Sequence, residues 1–224
     1  MASCVPPSTT LLAGADLVRL RSSTLYSKLP AAATALLDQL GEAQSLLLAS
    51  DGRNLLTIAR GRFHQSPPGA IPLARDLMIS GTPDFLAAAQ AGHKAGRPGA
   101  PGLLAYAQTV APGLQIWIVA QGGVALPLTG NAANLNRLLR DCENAALAVK
   151  VDSKVQLLFT ALGRTSDAAK TVENTLRATI TLAAAAESRH PEMVALLHAI
   201  ELSRDGRSVR ARLSATPDQL QSLW

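Results

Sequence analysis

A chain of 224 residues with 48% hydrophobic and 17% charged side chains can bury a core, which excludes a disordered polymer. Aromatics make up only 3%, so the core must come from Leu, Ala, Val and Ile. The net charge of +5 is spread out: residues 1–100 carry 9 Lys+Arg against 6 Asp+Glu, and residues 101–224 carry 12 against 10. That distribution argues against a dedicated nucleic-acid binder, which concentrates its basic residues. No apolar run approaches the ~20 residues of a membrane span.

The first strand is expected at residues 9–17 (TTLLAGADL). A polar break follows, and Pro30 opens a helix over 31–40, with Leu36, Leu37 and Leu40 on one stripe and Gly41 as its stop. Strands at 43–50 and 54–63 flank Asp51-Gly52, a pair suited to a tight hairpin turn. HQSPPGA (64–70) is a loop, because paired prolines cannot continue a ladder. LARDLMISG (73–81) reads as one strand, and Thr82-Pro83-Asp84 as a helix start in which Thr82 caps, continuing to His93.

KAGRPGAPG (94–102) is linker-like and marks the expected boundary between two domains, 1–98 and 103–224. LLAYAQ (103–108) reads as one or two helical turns and LQIWIVAQ (114–121) as a buried strand. Gly122-Gly123 breaks that strand, and VALPLTG (124–130) leads into a helix over 131–144. Leu135, Leu138, Leu139 and Cys142 share one face of it at i, i+3, i+4 and i+7, which places Cys142 in the core. A hairpin over 146–164 and a helix over 166–187 follow. Leu158 and Leu162 make the second face of the hairpin partly apolar, so its second strand should be central. After Pro191 come a short helix (192–199) and a last hairpin about Asp205-Gly206.

Two echoes point to duplication. The turn Asp51 and Gly61-Arg62 correspond to Asp152 and Gly163-Arg164. AIPLARDLMISGTPDFL (70–86) corresponds to AIELSRDGRSVRARLSATPDQL (199–220), sharing A-I-x-L-x-R-D and then S-[GA]-T-P-D-x-L. The expected fold is α+β: two tandem ferredoxin-like repeats, with antiparallel sheets covered by helices on one face and the second helix of the first repeat shortened.

The pattern D-L-x-x-L-R-x-S-x-L-Y-x-x-L, present as Asp16-Leu17 through Tyr26 to Leu29, resembles the start of uncharacterised bacterial proteins built from such repeats. RGRF at 60–63 and S-G-T-P-D at 80–84 carry the same resemblance. It implies a family without an assigned activity, often exported, and it transfers no catalytic residue.

Motifs for chemistry are missing from the sequence. His64, His93, His190 and His198 are scattered, without HxxxH, HExxH or CxxC spacing, so no metal or cofactor is expected. Neither G-x-S-x-G nor a phosphate-loop glycine pattern occurs. Cys4 follows Ala2-Ser3 as in a lipidation site, which would place the protein at the cell envelope, although the apolar stretch that such a signal needs does not precede it. Arg204, Arg207, Arg210 and Arg212 crowd the last hairpin. Arg207, Arg210 and Arg212 are the candidate anion-binding residues, against the plainer reading that strand-face charges block edge pairing.

The leading expectation is a non-enzymatic binding or assembly module, with a protein partner or a second copy. The alternatives are binding of nucleic acid or an acidic partner through that hairpin, nucleic acid being the weaker of the two for want of aromatics, and an enzyme with a site between the repeats.

Overall fold

The structure is a computed structural model, and it describes residues 1–66, 69–123 and 134–221. VALPLTG (124–130) and the expected helix start at 131 lie outside the described residues, as do the side chains of Leu36 and Leu135. The chain is mixed α and β, with antiparallel sheet and several helices. It divides into two compact units, Met1–Ser22 with Ala31–Ala120, and Ser23–Pro30 with Gln121–Trp224. The Gly/Pro-rich stretch 94–102 lies inside the first of these.

In the first unit the strands are β1 (Leu11–Asp16), β2 (Ala43–Ser50), β3 (Leu55–Gly61), β4 (Ile71–Ala74), β5 (Leu77–Gly81) and β6 (Ile116–Gln121). Their order across the sheet is β4-β5-β3-β2-β1-β6, antiparallel throughout. The single strand expected over 73–81 is therefore a hairpin turning at Arg75-Asp76. Pro72 sits on its outer strand, at the sheet edge where proline is tolerated. Gly52 has φ +91, as the tight β2–β3 turn requires.

Leu12, Ala49, Leu56 and Val119 share one sheet face at zero exposure. Ile58 and Ile79, opposite each other, extend this core. Each of the Leu, Val and Ile side chains contributes about 1.5–3 kcal/mol of burial, and Ala49 less. The helices are α1 (Leu17–Arg21), α2 (Ala31–Gln39), α3 (Pro83–Ala95) and α4 (Pro101–Val110). Asp16 caps α1 by accepting from the Arg19 N–H at 3.0 Å. The Thr82 hydroxyl is buried without a partner and does not cap α3, contrary to the sequence expectation; the helix starts on Pro83 and Asp84 instead.

In the second unit the helices are α5 (Asn134–Arg140), α6 (Ser166–Ala186), α7 (Pro191–His198) and α8 (Pro217–Gln221). The strands are β7 (Cys142–Val151), β8 (Val155–Gly163), β9 (Glu201–Asp205) and β10 (Ser208–Ala215). They pair in the order β7-β8-β10-β9, all antiparallel, which makes β8 central as its double-sided apolar pattern predicts.

α6 packs on this sheet, where Ala169 and Val172 are buried with Ala161 and Val209. Glu173 of α6 bonds Arg204 of β9 at 2.9 Å and Arg177 at 2.8 Å, so one carboxylate ties the helix to the strand. The segment read as a polar break also belongs to this unit. Leu25 packs with Val151 and Val155, Thr24 Oγ1 donates to the Asp152 carbonyl at 3.2 Å, and Lys28 pairs with Asp218.

Two expectations need correction. Cys142 is the first residue of β7, not the last turn of a helix: α5 stops at Arg140, and the β7–β8 ladder pairs Cys142 with Gly163. Its thiol still donates to the Leu138 carbonyl at 3.0 Å, so the i, i+4 neighbourhood survives the change of element. Second, the strands of each unit pair antiparallel, with β5 rather than β4 beside β3 and β10 rather than β9 beside β8. The interleaved parallel pair of a split βαβ, ferredoxin-like repeat is absent from both described sheets.

Candidate functional site

The first unit carries a groove of about 480 Å³ on the same face of its sheet as Leu12 and Val119. α4 forms one wall through Leu104, Ala107 and Gln108, with Ala111 at its C-terminal cap, and the floor is Gly14, Leu47 and Trp117. The ladders explain the floor: Gly14 of β1 is paired with Leu47 of β2 and with Trp117 of β6, so all three residues lie on one row of one face. A Cβ on Gly14 would come 2.3 Å from two atoms of the Trp117 indole. Only glycine lets the ring lie across the strand, and the half-buried ring then presents an aromatic surface to the groove.

Polar groups stand at one end. Asp16 and Arg19 pair with each other at 3.5 Å, and Asp16 is already engaged at the start of α1. Ser45 Oγ lies 3.7 Å from Met1 Sδ. The charged groups thus hold the groove's own walls in place, and its interior is chiefly apolar. The sequence signal for this site is a glycine in mid-strand and a tryptophan in a chain with 3% aromatics, but neither residue reveals the other.

A second cleft, of about 660 Å³, lies where β3 ends beside the β4–β5 turn. Gly61, Arg62, Phe63, His64, Arg75 and Asp76 line it. His64 is held by Glu42, whose carboxylate accepts from the His64 backbone N–H at 2.8 Å and also meets the ring. These bonds, the backbone one first, hold the Glu42 carboxyl below the usual carboxylate range. Asp76 pairs with Arg60 at 3.3 Å.

The residues singled out from sequence are not gathered in either place. Arg207 bonds Glu143 at 3.4 Å and the Arg164 carbonyl at 3.1 Å. Arg210 and Arg212 are exposed on β10, opposite Thr160 and Leu158 of β8. Arg204 and Val209 share the face that α6 covers, so Arg210 and Arg212 point to the other one.

Cys4 is fully buried, its Sγ 3.8 Å from His93 Nδ1 of α3, and desolvation raises its pKa. Acylation of this thiol would require the N-terminal turn to leave its seat. Among the described residues no three His, Cys, Asp or Glu side chains come together as metal ligands. No helix among them is long and apolar enough to cross a membrane.

No protein-family model matches the chain, and no curated protein matches it. Solved structures do. The chain is similar to crystal form III of TP0453, with a TM-score of 0.54 at 9% identity over 99% of this chain and 96% of that one. Crystal form I of the same protein aligns with a TM-score of 0.49 at 10% identity, covering 99% and 95% of the two chains. At such identity the likeness is one of fold.

Proposed function

We propose that the protein is a binding module rather than an enzyme, and that its first unit takes a small apolar molecule in the groove over Gly14 and Trp117. The observation that carries this is the fit of the indole to the one residue that leaves room for it. An aromatic wall is held open beside a cavity within the range of small-molecule sites, roughly 300–1,000 Å³. Apolar side chains from α4 supply burial, and the Asp16–Arg19 pair, Ser45 and Gln108 leave the polar end wet. The charged lining residues are engaged with each other, which suits binding better than proton transfer.

The test uses the full chain with Trp224→Phe, which leaves Trp117 as the one indole. Titration with the uncharged probe N-phenyl-1-naphthylamine should quench Trp117 with saturation. Ala111→Phe, which fills the groove from α4, should weaken the probe at least tenfold. Quenching that Ala111→Phe leaves untouched would remove the groove from consideration.

Strand order also supports reading the chain as a duplicated unit. In each half a hairpin is followed by a second hairpin whose last strand pairs with the last strand of the first, giving β2-β3-β5-β4 and β7-β8-β10-β9. Both second hairpins run into a T-P-D helix start, at Thr82 and at Thr216. The repeated element is then strand–helix–hairpin–hairpin–helix, and α6 and α7 occupy the place where the first half has only HQSPPGA.

A further inference from the structure

We infer that the cleft at the end of β3 is a phosphate-binding site built on Arg62 and Arg75, separate from the apolar groove. The β3–β5 ladder ends at Arg60 opposite Leu77, and the Gly61 N–H donates to the Asp76 carbonyl at 3.0 Å just beyond it. Arg62 follows the last residue of β3, Arg75 opens the β4–β5 turn, and both line the cleft. Two like charges beside one cleft repel each other unless an anion lies between them. Asp76 lines the same cleft, but no carboxylate pairs with either arginine among the described residues. Asp76 is held by Arg60 and Glu42 by His64, and neither Arg62 nor Arg75 has an ion-pair or side-chain hydrogen-bond partner among the described residues. Where the chain enters Arg62 the backbone runs close to β2, and a Cβ on Gly61 would meet the Glu42 carbonyl oxygen at 2.2 Å.

The second half of the chain provides the contrast. Its sequence counterparts are Gly163-Arg164 and Arg204-Asp205. There Arg164 donates to the Cys142 carbonyl at 3.3 Å and Arg204 to Glu173 at 2.9 Å, so both guanidiniums are committed to the fold. Only the first half leaves its pair uncommitted, and both members line one cleft with His64 and Phe63 beside them. Two planar guanidiniums facing one space suit a tetrahedral dianion, each offering a fork of N–H donors to its oxygens. The chemistry is that of a phosphomonoester, carried either by a soluble molecule or by a lipid headgroup.

The experiment follows backbone amide shifts of the ¹⁵N-labelled full chain. One arm adds glycerol 1-phosphate, and the other adds phosphatidylcholine vesicles with or without phosphatidic acid, read by co-sedimentation. Saturable shifts at 61–64 and 75–76 with glycerol 1-phosphate assign a soluble ligand. Binding only to the vesicles that contain phosphatidic acid assigns a headgroup. In either case Arg62→Ser with Arg75→Ser should weaken binding at least tenfold, and Arg210→Ser with Arg212→Ser should leave it unchanged. Each single variant, Arg62→Ser or Arg75→Ser, should also raise Tm at low salt by relieving the repulsion, which shows that the variants fold. Failure of both probes to bind overturns the assignment, and so does binding that the double variant keeps.

Discussion

Gly14 and Trp117 face each other across the β1–β6 ladder, and the indole occupies the space that any other residue at 14 would need for its Cβ. The two positions form one steric unit, and the groove floor depends on both. Replacing Gly14 by Ala should displace the ring and cost about 1–3 kcal/mol, as overpacking of a fitted site does. With Trp224→Phe as background, the emission of Trp117 should shift to the red and Tm should fall. An unchanged spectrum would mean that the ring does not rest on Gly14.

Arg21 ties the end of α2 to β2. Its guanidinium donates to the carbonyls of Ala43 at 2.8 Å, Gly41 at 2.9 Å and Leu37 at 3.1 Å. Lysine cannot reproduce three divergent donors of this kind. Arg21→Lys should therefore lose about 1–3 kcal/mol, measured by urea denaturation, and Arg21→Ala no less. Equal stability of wild type and Arg21→Lys would show that water replaces these bonds without loss.

Cys142 sets a limit on alkaline stability. Burial, followed by the nearby Asp141 charge, pushes its thiol up to about 11 from an ordinary 9.0. A thiol is neutral when protonated, so a folded value above the unfolded one gives stability that is intact below pH 9 and is lost as pH rises towards 11. The loss should approach about 2–3 kcal/mol. Cys142→Ala should flatten that part of the pH profile, and a profile with the same slope in the variant would assign the loss to other groups.

Glu173 is the joint between α6 and the second sheet, bonded to Arg204 and Arg177 and only 17% exposed. Glu173→Gln keeps the shape and removes the charge that two arginines share. It should cost about 1–3 kcal/mol, chiefly by leaving Arg204 uncompensated. Amide exchange should then speed up along α6 and β9 before it does in β7. Uniform acceleration across the unit would argue that the joint is not local.

Arg210 and Arg212 are exposed beside half-buried Leu158 and Leu162, on a face where the nearby Phe159 points the other way. Without an aromatic to stack on a base, they should serve strand solvation. Arg210→Ala with Arg212→Ala should leave Tm within about 1 °C, and the variant should match wild type in gel shifts with generic RNA at low salt. A salt-sensitive shift that the substitutions abolish would reopen the nucleic-acid reading.

Local chemistry was legible wherever a turn or cap is encoded by its own residues. Asp51-Gly52 and Asp205-Gly206 close their hairpins with Gly52 and Gly206 at positive φ, and Pro83 opens α3. The apolar stripe of Ala169 and Val172 marks the buried side of α6. The β4–β5 turn escaped because Arg75-Asp76 contains no glycine and rests on a backbone bond from Gly61, in a different strand. The i, i+4 spacing of Cys142 to Leu138 reads as helix in the sequence and is real as a contact, although the ladder to Gly163 claims the Cys142 backbone.

By itself, then, the sequence determined an α+β chain, the positions of most elements, and the residues that each turn requires, since these follow from side-chain periodicity and backbone preference over a few neighbours. Strand order, the seat of Ser23–Pro30 in the second unit, the fit of Trp117 over Gly14 and the presence of Arg62 and Arg75 in one cleft were decided only by tertiary structure. Those depend on contacts between segments far apart in the chain, and a shift of one residue in the β1–β6 register would turn Trp117 to the face away from Gly14.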